Sequence, residues 1–138
     1  MKLMSSLQLL ALLPSTQEEM ERAADLFPSI LAASFQPGYY RTAFKEQWVY
    51  ASTVWKDGHA VGLVGWHRTR DAGLFVDCIV KFAKEICDAL MWDALKLLEK
   101  QQHVGNYVRF LTTRRGLASL AESHGFTPTA IMMQKSLA

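Results

Sequence analysis

One carboxylate, Asp77, stands in the middle of the apolar run Leu74 to Phe82, LFVDCIVKF. Turned inward, such a group loses hydration, its pKa rises, and it becomes suited to accepting a proton near neutral pH. Turned outward, it is an ordinary solvated strand residue. Strict alternation puts Leu74, Val76, Cys78 and Val80 on one face, with Phe75, Asp77, Ile79 and Lys81 on the other. That pattern leaves both fates of Asp77 open. Lys81 and Lys84 follow directly, with Glu85 and Asp88 close behind them. Acidic residues in a first helical turn are normal partners of the helix dipole and need no ligand to explain them.

Other chemistry is thinly supported. His59, His67, His103 and His124 are scattered singly, as turn, strand or helix-end residues, and no CxxC or His/Cys cluster suggests a metal site. Cys78 and Cys87 read as two buried thiols in a reducing compartment. The chain has 138 residues, half of them hydrophobic, with a net charge of +2. That is the composition of one globular domain rather than a disordered segment. Before Thr69 there are six basic and six acidic residues, and after it nine basic and seven acidic. Neither half carries the strong positive balance of a nucleic-acid-binding surface.

The elements that must position Asp77 follow from pattern. Leu7 to Leu13 is a short apolar run ended by Pro14, and reads as a buried strand. It is too short to span a bilayer, and Ser5, Ser6 and Gln8 interrupt it as a signal peptide. A cytosolic protein with no membrane partner is expected. Ser15-Thr16-Gln17-Glu18 reads as a capping box for a helix whose face is Met20, Ala23, Ala24 and Phe27. Ser29 to Phe35 reads as a further helical turn or two, Pro37-Gly38 as a turn, and Tyr39 to Gln47 as helix or irregular. Trp48 to Trp55 and Ala60 to Trp66 form a hairpin about Asp57-Gly58, with Gly62 and Gly65 as bulge sites. Arg70 to Gly73 turns into the strand Leu74 to Phe82, and Ala83 to Gln102 is the longest helix.

Tyr107 to Thr112 then reads as a strand, and Gly116 to His124 as a helix with Leu117, Leu120 and Ala121 on one face. Gly125 stands where a helix end favours positive φ, and Phe126 turns inward behind it before a closing strand. This ending, with the order of elements before it, resembles the GCN5-related N-acetyltransferases (GNAT). The resemblance implies an α+β fold: a mixed, mostly antiparallel sheet with helices on both faces, splayed between Leu74–Phe82 and Tyr107–Thr112. It also implies an acetyl-CoA site where the family's fourth strand meets the long helix, at Ile79, Val80, Lys81, Lys84 and Arg114, with Asp77 as base.

The family's phosphate-binding Gln/Arg-x-x-Gly-x-Gly/Ala is absent, however. The matching stretch, Val80 to Asp88, has no glycine, so the close backbone approach that a pyrophosphate requires is not provided. The tyrosine that many members use as acid falls at Ala121, and their asparagine at Arg114. The expectation is therefore a degenerate site with no cofactor, and a binding or assembly role like that of GNAT-like virion proteins of short-tailed phages. The alternative is an acetyl-CoA-dependent N-acetyltransferase acting on an amine.

A partner surface is sought on the long helix. Ile86, Leu90, Ala94, Leu97 and Leu98 make its apolar stripe, and a rotation of about 100° per residue puts Trp92 on the far, charged side. An exposed tryptophan there marks a contact with a protein partner or a second copy of the chain, unless a neighbouring N-terminal segment covers it.

Overall fold

A computed structural model describes residues 10–26, 30–34, 36, 38–103, 105–112, 114–129 and 133–137. In chain order the elements are β1 (Leu10–Pro14), α1 (Gln17–Asp25), β2 (Leu31–Ala32), α2 (Tyr39–Lys45) and β3 (Tyr50–Lys56). They continue with β4 (His59–Arg68), β5 (Leu74–Lys81), α3 (Asp88–Gln101), β6 (Val108–Arg109) and α4 (Arg115–Ser123). The sheet order is β1-β3-β4-β5-β2, and β6 also pairs with β5. Among the described residues only the β5–β6 pairing is parallel. The α+β fold with a mixed, mostly antiparallel sheet is as expected.

Local chemistry explains most boundaries. Asp57 and Gly58 both have positive φ, 52° and 79°, the geometry of a two-residue hairpin turn. The capping box forms one residue later than expected, between Thr16 and Glu19. Ser15 is otherwise engaged: its N–H donates to the Ala51 carbonyl at 3.0 Å, and its hydroxyl meets Thr53 Oγ1 at 2.7 Å. At the other end, Gly125 has φ 92°. The Phe126 N–H donates to the Ala121 carbonyl and the Gly125 N–H to that of Glu122, a Schellman close to α4.

Four expectations change. The segment expected to continue as helix from Ser29 to Phe35 contains a strand instead, β2, because Leu31 and Ala32 find open ladder positions on β5; Ser29 and Phe35 lie outside the described residues. The long helix begins at Asp88 rather than Ala83, since residues 83–87 serve as the crossover from sheet to helix layer. Cys87, at that crossover, is exposed, and only Cys78 is a buried thiol. In the region of the expected closing strand, residues 126–129 and 133–137 form no strand, and residues 130–132 lie outside the described residues.

Two cores sandwich the sheet. On one face α3 and α4 bring Met91, Leu95, Leu98, Leu117 and Ala121 against Val54, Val64, Leu74, Val76 and Ile79. On the other, α1 and α2 bring Ala23, Tyr40, Ala43 and Phe44 against Leu63, Cys78 and Val80. The expected single face Leu74, Val76, Cys78, Val80 is therefore split. Gly65 pairs with Cys78 but Trp66 pairs with Val76, so Asp77 is an extra residue in β5, and the alternation reverses across it. A second bulge leaves Val61 unmatched in β4, beside Gly62.

Trp92 is not at the surface. Only 4% exposed, its indole stacks on the His124 ring (centroids 4.6 Å apart, 10° between planes) and meets Phe110 and Phe126. The buried stripe is Met91, Ala94, Leu95 and Leu98. Trp92 borders it on the side that α4 and its Gly125-Phe126 corner cover. The periodicity of one helix cannot reveal a second helix laid against its flank, so the expected partner face around Trp92 is corrected to core. Trp92→Ala should therefore destabilise the isolated chain by about 3–5 kcal/mol in urea unfolding. A loss within about 0.5 kcal/mol would return Trp92 to the surface.

Candidate active site

The site is built around β5. Gly73, just before it, is where the Tyr107 ring packs: a Cβ there would lie 2.1 Å from the ring. The Tyr107 hydroxyl meets Thr69 Oγ1 at 2.6 Å and donates to Asp71. With the Leu74 N–H on the Tyr107 carbonyl at 3.0 Å, this lays β6 beside the start of β5. Only Leu74–Val108 and Phe75–Arg109 pair before the strands part.

Asp77 follows at the bulge. It is 5% exposed, and its Oδ2 lies 2.6 Å from His67 Nδ1. His67 stacks on Phe75 with ring centroids 5.1 Å apart, and stays partly open to solvent. Burial pushes the Asp77 carboxyl above the ordinary carboxylate range, and the hydrogen bond and charge of His67 work against that rise. Its main-chain carbonyl accepts from Tyr40 Oη at 2.6 Å and from the Ala33 N–H at 2.8 Å. Of its two fates, Asp77 has the inward one. The arrangement is a buried carboxylate orienting an imidazole, which can hold or pass a proton.

His67 escaped notice as a lone strand residue. The turn at Arg70–Gly73 carries the signal, because it sets His67 opposite Phe75 and so diagonal to Asp77 on the same face.

The remaining candidates do not converge on Asp77. Ile79 and Val80 are buried in opposite cores. Lys81 Nζ is 2.9 Å from Asp88 Oδ1 in the first turn of α3, so its charge is already answered. Lys84 is exposed in the crossover. Arg114 donates from Nη1 to the Ile30 carbonyl at 2.8 Å, far in sequence but beside β2. Among the described residues no three His, Cys, Asp or Glu gather as a metal site. No described helix is long and apolar enough to cross a membrane.

The gap between β5 and β6, where the resemblance places acetyl-CoA, holds protein. β4 takes one edge of β5, and β2 takes the other beyond β6, pairing Leu31 with Ile79 and Ala32 with Cys78. At the end of β5 the crossover Phe82–Cys87 contains no glycine. There the Phe82 N–H is bound to the Val61 carbonyl and the Ile86 N–H to that of Ala83. The residues present do not fit the cofactor. A separate cleft of ≈ 790 Å³ runs along β6, lined by Phe75, Arg109, Phe110, Glu122 and Phe126 among others. Asp77 and His67 do not line it.

No family model and no curated protein sequence matches the chain. Solved structures do. An aminoglycoside N-acetyltransferase in complex with CoA is 11% identical with a TM-score of 0.62, over 94% of this chain and 95% of that one. A possible acetyltransferase from Clostridium difficile is 9% identical, TM-score 0.61, over 94% and 98%. Glucosamine-6-phosphate N-acetyltransferase from Arabidopsis thaliana is 11% identical, TM-score 0.56, over 94% and 99%. The chain has the GNAT acetyltransferase fold.

The burial of Asp77 has a pH signature. Its folded pKa is raised, so between the ordinary value near 3.9 and the folded value the native state holds more of this proton than the unfolded chain. Stability from this group is then full at low pH and falls as pH rises through that window. Asp77→Asn removes the dependence while keeping an acceptor for His67. The stability of wild type minus that of Asp77→Asn, from urea unfolding between about pH 4 and 7, should fall with rising pH. A difference that rises with pH would mean that the Asp77 carboxyl is not held above its ordinary range.

Proposed function

We propose that this chain is a non-catalytic member of the GNAT-fold proteins, with a protein-binding or assembly role, as in GNAT-like virion proteins. The observation that carries the proposal is β2, whose backbone lies along β5 in the gap where an acyl-CoA would have to enter. The crossover without glycine and the Lys81–Asp88 ion pair point the same way, since both remove support for a phosphate. With Trp92 in the core, the side chains left for a protein partner include Trp48 and Tyr50 at the start of β3, 58% and 51% exposed. Aromatic side chains of this kind are enriched at binding hot spots.

A second reading, acetyl transfer to an amine, is favoured by one observation, the Asp77–His67 pair. In that reading the pair takes the proton of the amine. Acetyl-CoA binding separates the two. A ligand at one hundred times its dissociation constant adds about 2.7 kcal/mol to stability. The expected outcome is no thermal shift of the wild-type chain in millimolar acetyl-CoA. A clear shift, with transfer to an amine acceptor that Asp77→Asn slows without weakening binding, would establish the enzyme instead.

A further inference from the structure

β6 has one paired edge and one open edge. Val108 and Arg109 pair with β5. Beyond them, among the described residues, no main-chain to main-chain hydrogen bond joins residues 110–112, or residues 127–129 after the Gly125-Phe126 corner. The cleft of ≈ 790 Å³ is lined by all of residues 107–112 and all of residues 124–129. An open backbone edge along a cleft is a template for one more strand. Pro128 has no N–H to offer, so β6 must supply that ladder. On the helix side of the cleft Phe110 and Phe126 pack on each other and on Trp92. Glu99 of α3 and Glu122 of α4 line it as well. Arg109 points the other way, its guanidinium 3.9 Å from the centre of the Tyr107 ring.

The chain also carries a segment whose apolar side chains no described residue covers. Residues 133–137 are all exposed and form no strand, with Met133 and Leu137 at 89% and 88% exposure. Laid out as a strand, alternation puts Met133, Lys135 and Leu137 on one side, and Gln134 and Ser136 on the other. Two apolar groups flanking an ammonium are the complement of a cleft with two phenylalanines and two carboxylates. A thioether also packs well against aromatic rings.

We propose that segment 133–137 of a second copy of this chain adds as a strand to the open edge of β6, and that two copies exchange these segments reciprocally. The segment departs from the cleft itself, which residues 127–129 line. Two copies related by a twofold axis beside the cleft therefore have only a short distance to cross. Entering its own cleft, the segment has to reverse direction directly after Thr129. Exchange of an identical element between copies is a low-cost route to a closed dimer. The inference concerns assembly, and it stands whether or not the chain transfers acetyl groups.

Analytical ultracentrifugation of the full chain tests it. Wild type should dimerise as concentration rises. Met133→Asp with Leu137→Asp charges two exposed side chains, so each copy still folds, and the dimer dissociation constant should rise at least about tenfold. Ala118→Arg fills the cleft from α4 and should do the same; Glu122→Lys replaces it if that chain does not unfold cooperatively. The segment variant keeps an open cleft and the cleft variant keeps an intact segment. Mixed in equal amounts, they should regain dimers that neither forms alone.

A wild-type chain that stays monomeric up to its solubility overturns the exchange. So does a dimer that Met133→Asp with Leu137→Asp leaves intact, which would place the contact on another surface. A mixture that regains no dimer has the same force. A wild-type monomer with amides 110–112 protected from exchange, and unprotected in the segment variant, would make the chain's own segment the occupant and defeat the second copy.

Discussion

The extra residue at Asp77 is the constraint on which both cores depend. Without it, Leu74, Val76, Cys78 and Val80 would share a face, and neither helix layer would receive its present complement. With it, Leu74, Val76 and Ile79 meet α3 and α4, while Cys78 and Val80 meet α1 and α2. A bulge leaves a carbonyl and a side chain that the β4 ladder does not satisfy, and burial makes that expensive. Tyr40 and Ala33 take the carbonyl, and His67 takes the carboxylate. Segments distant in sequence are thus brought to one point on β5.

The same point governs the chemistry. Ala33 reaches the Asp77 carbonyl because β2 runs alongside, and β2 can run there because β6 leaves β5 after two pairs. A carboxylate–imidazole pair of the sort that moves protons therefore coexists with a gap filled by the chain itself. The acid-base pair and the placing of β2 have a common structural origin. The chain keeps the GNAT fold, and in it β2 lies along β5 beyond β6.

The helix layer over the other face has its own anchor. α4 ends in a Schellman close, which turns Phe126 back toward α3, where it meets Phe110 and Trp92. His124 at the C-cap lies flat on the indole. Helix end, glycine and aromatic cluster act as one unit, fixing α4 against α3 through ring contacts as well as the buried Leu117 and Ala121.

Much of this was legible in the chain itself, because it depends on neighbours in sequence. The Asp57-Gly58 hairpin, the glycine close at Gly125, the meander of β3 to β5 and the missing glycine after Val80 are all short-range matters of backbone freedom and apolar alternation. Together they were enough for the fold and for doubt about the cofactor. What failed in each case required knowledge of a distant partner. The faces of β5 turned on a bulge that only pairing with β4 defines. Trp92 was placed by one helix's periodicity, although α4 covers that flank. Leu31 and Ala32 became a strand because β5 had an open edge, not because two residues can form one alone. His67 joined Asp77 only through cross-strand register. Local sequence determined the elements and their order; the tertiary structure decided which groups share a face, because burial and pairing are properties of two segments at once.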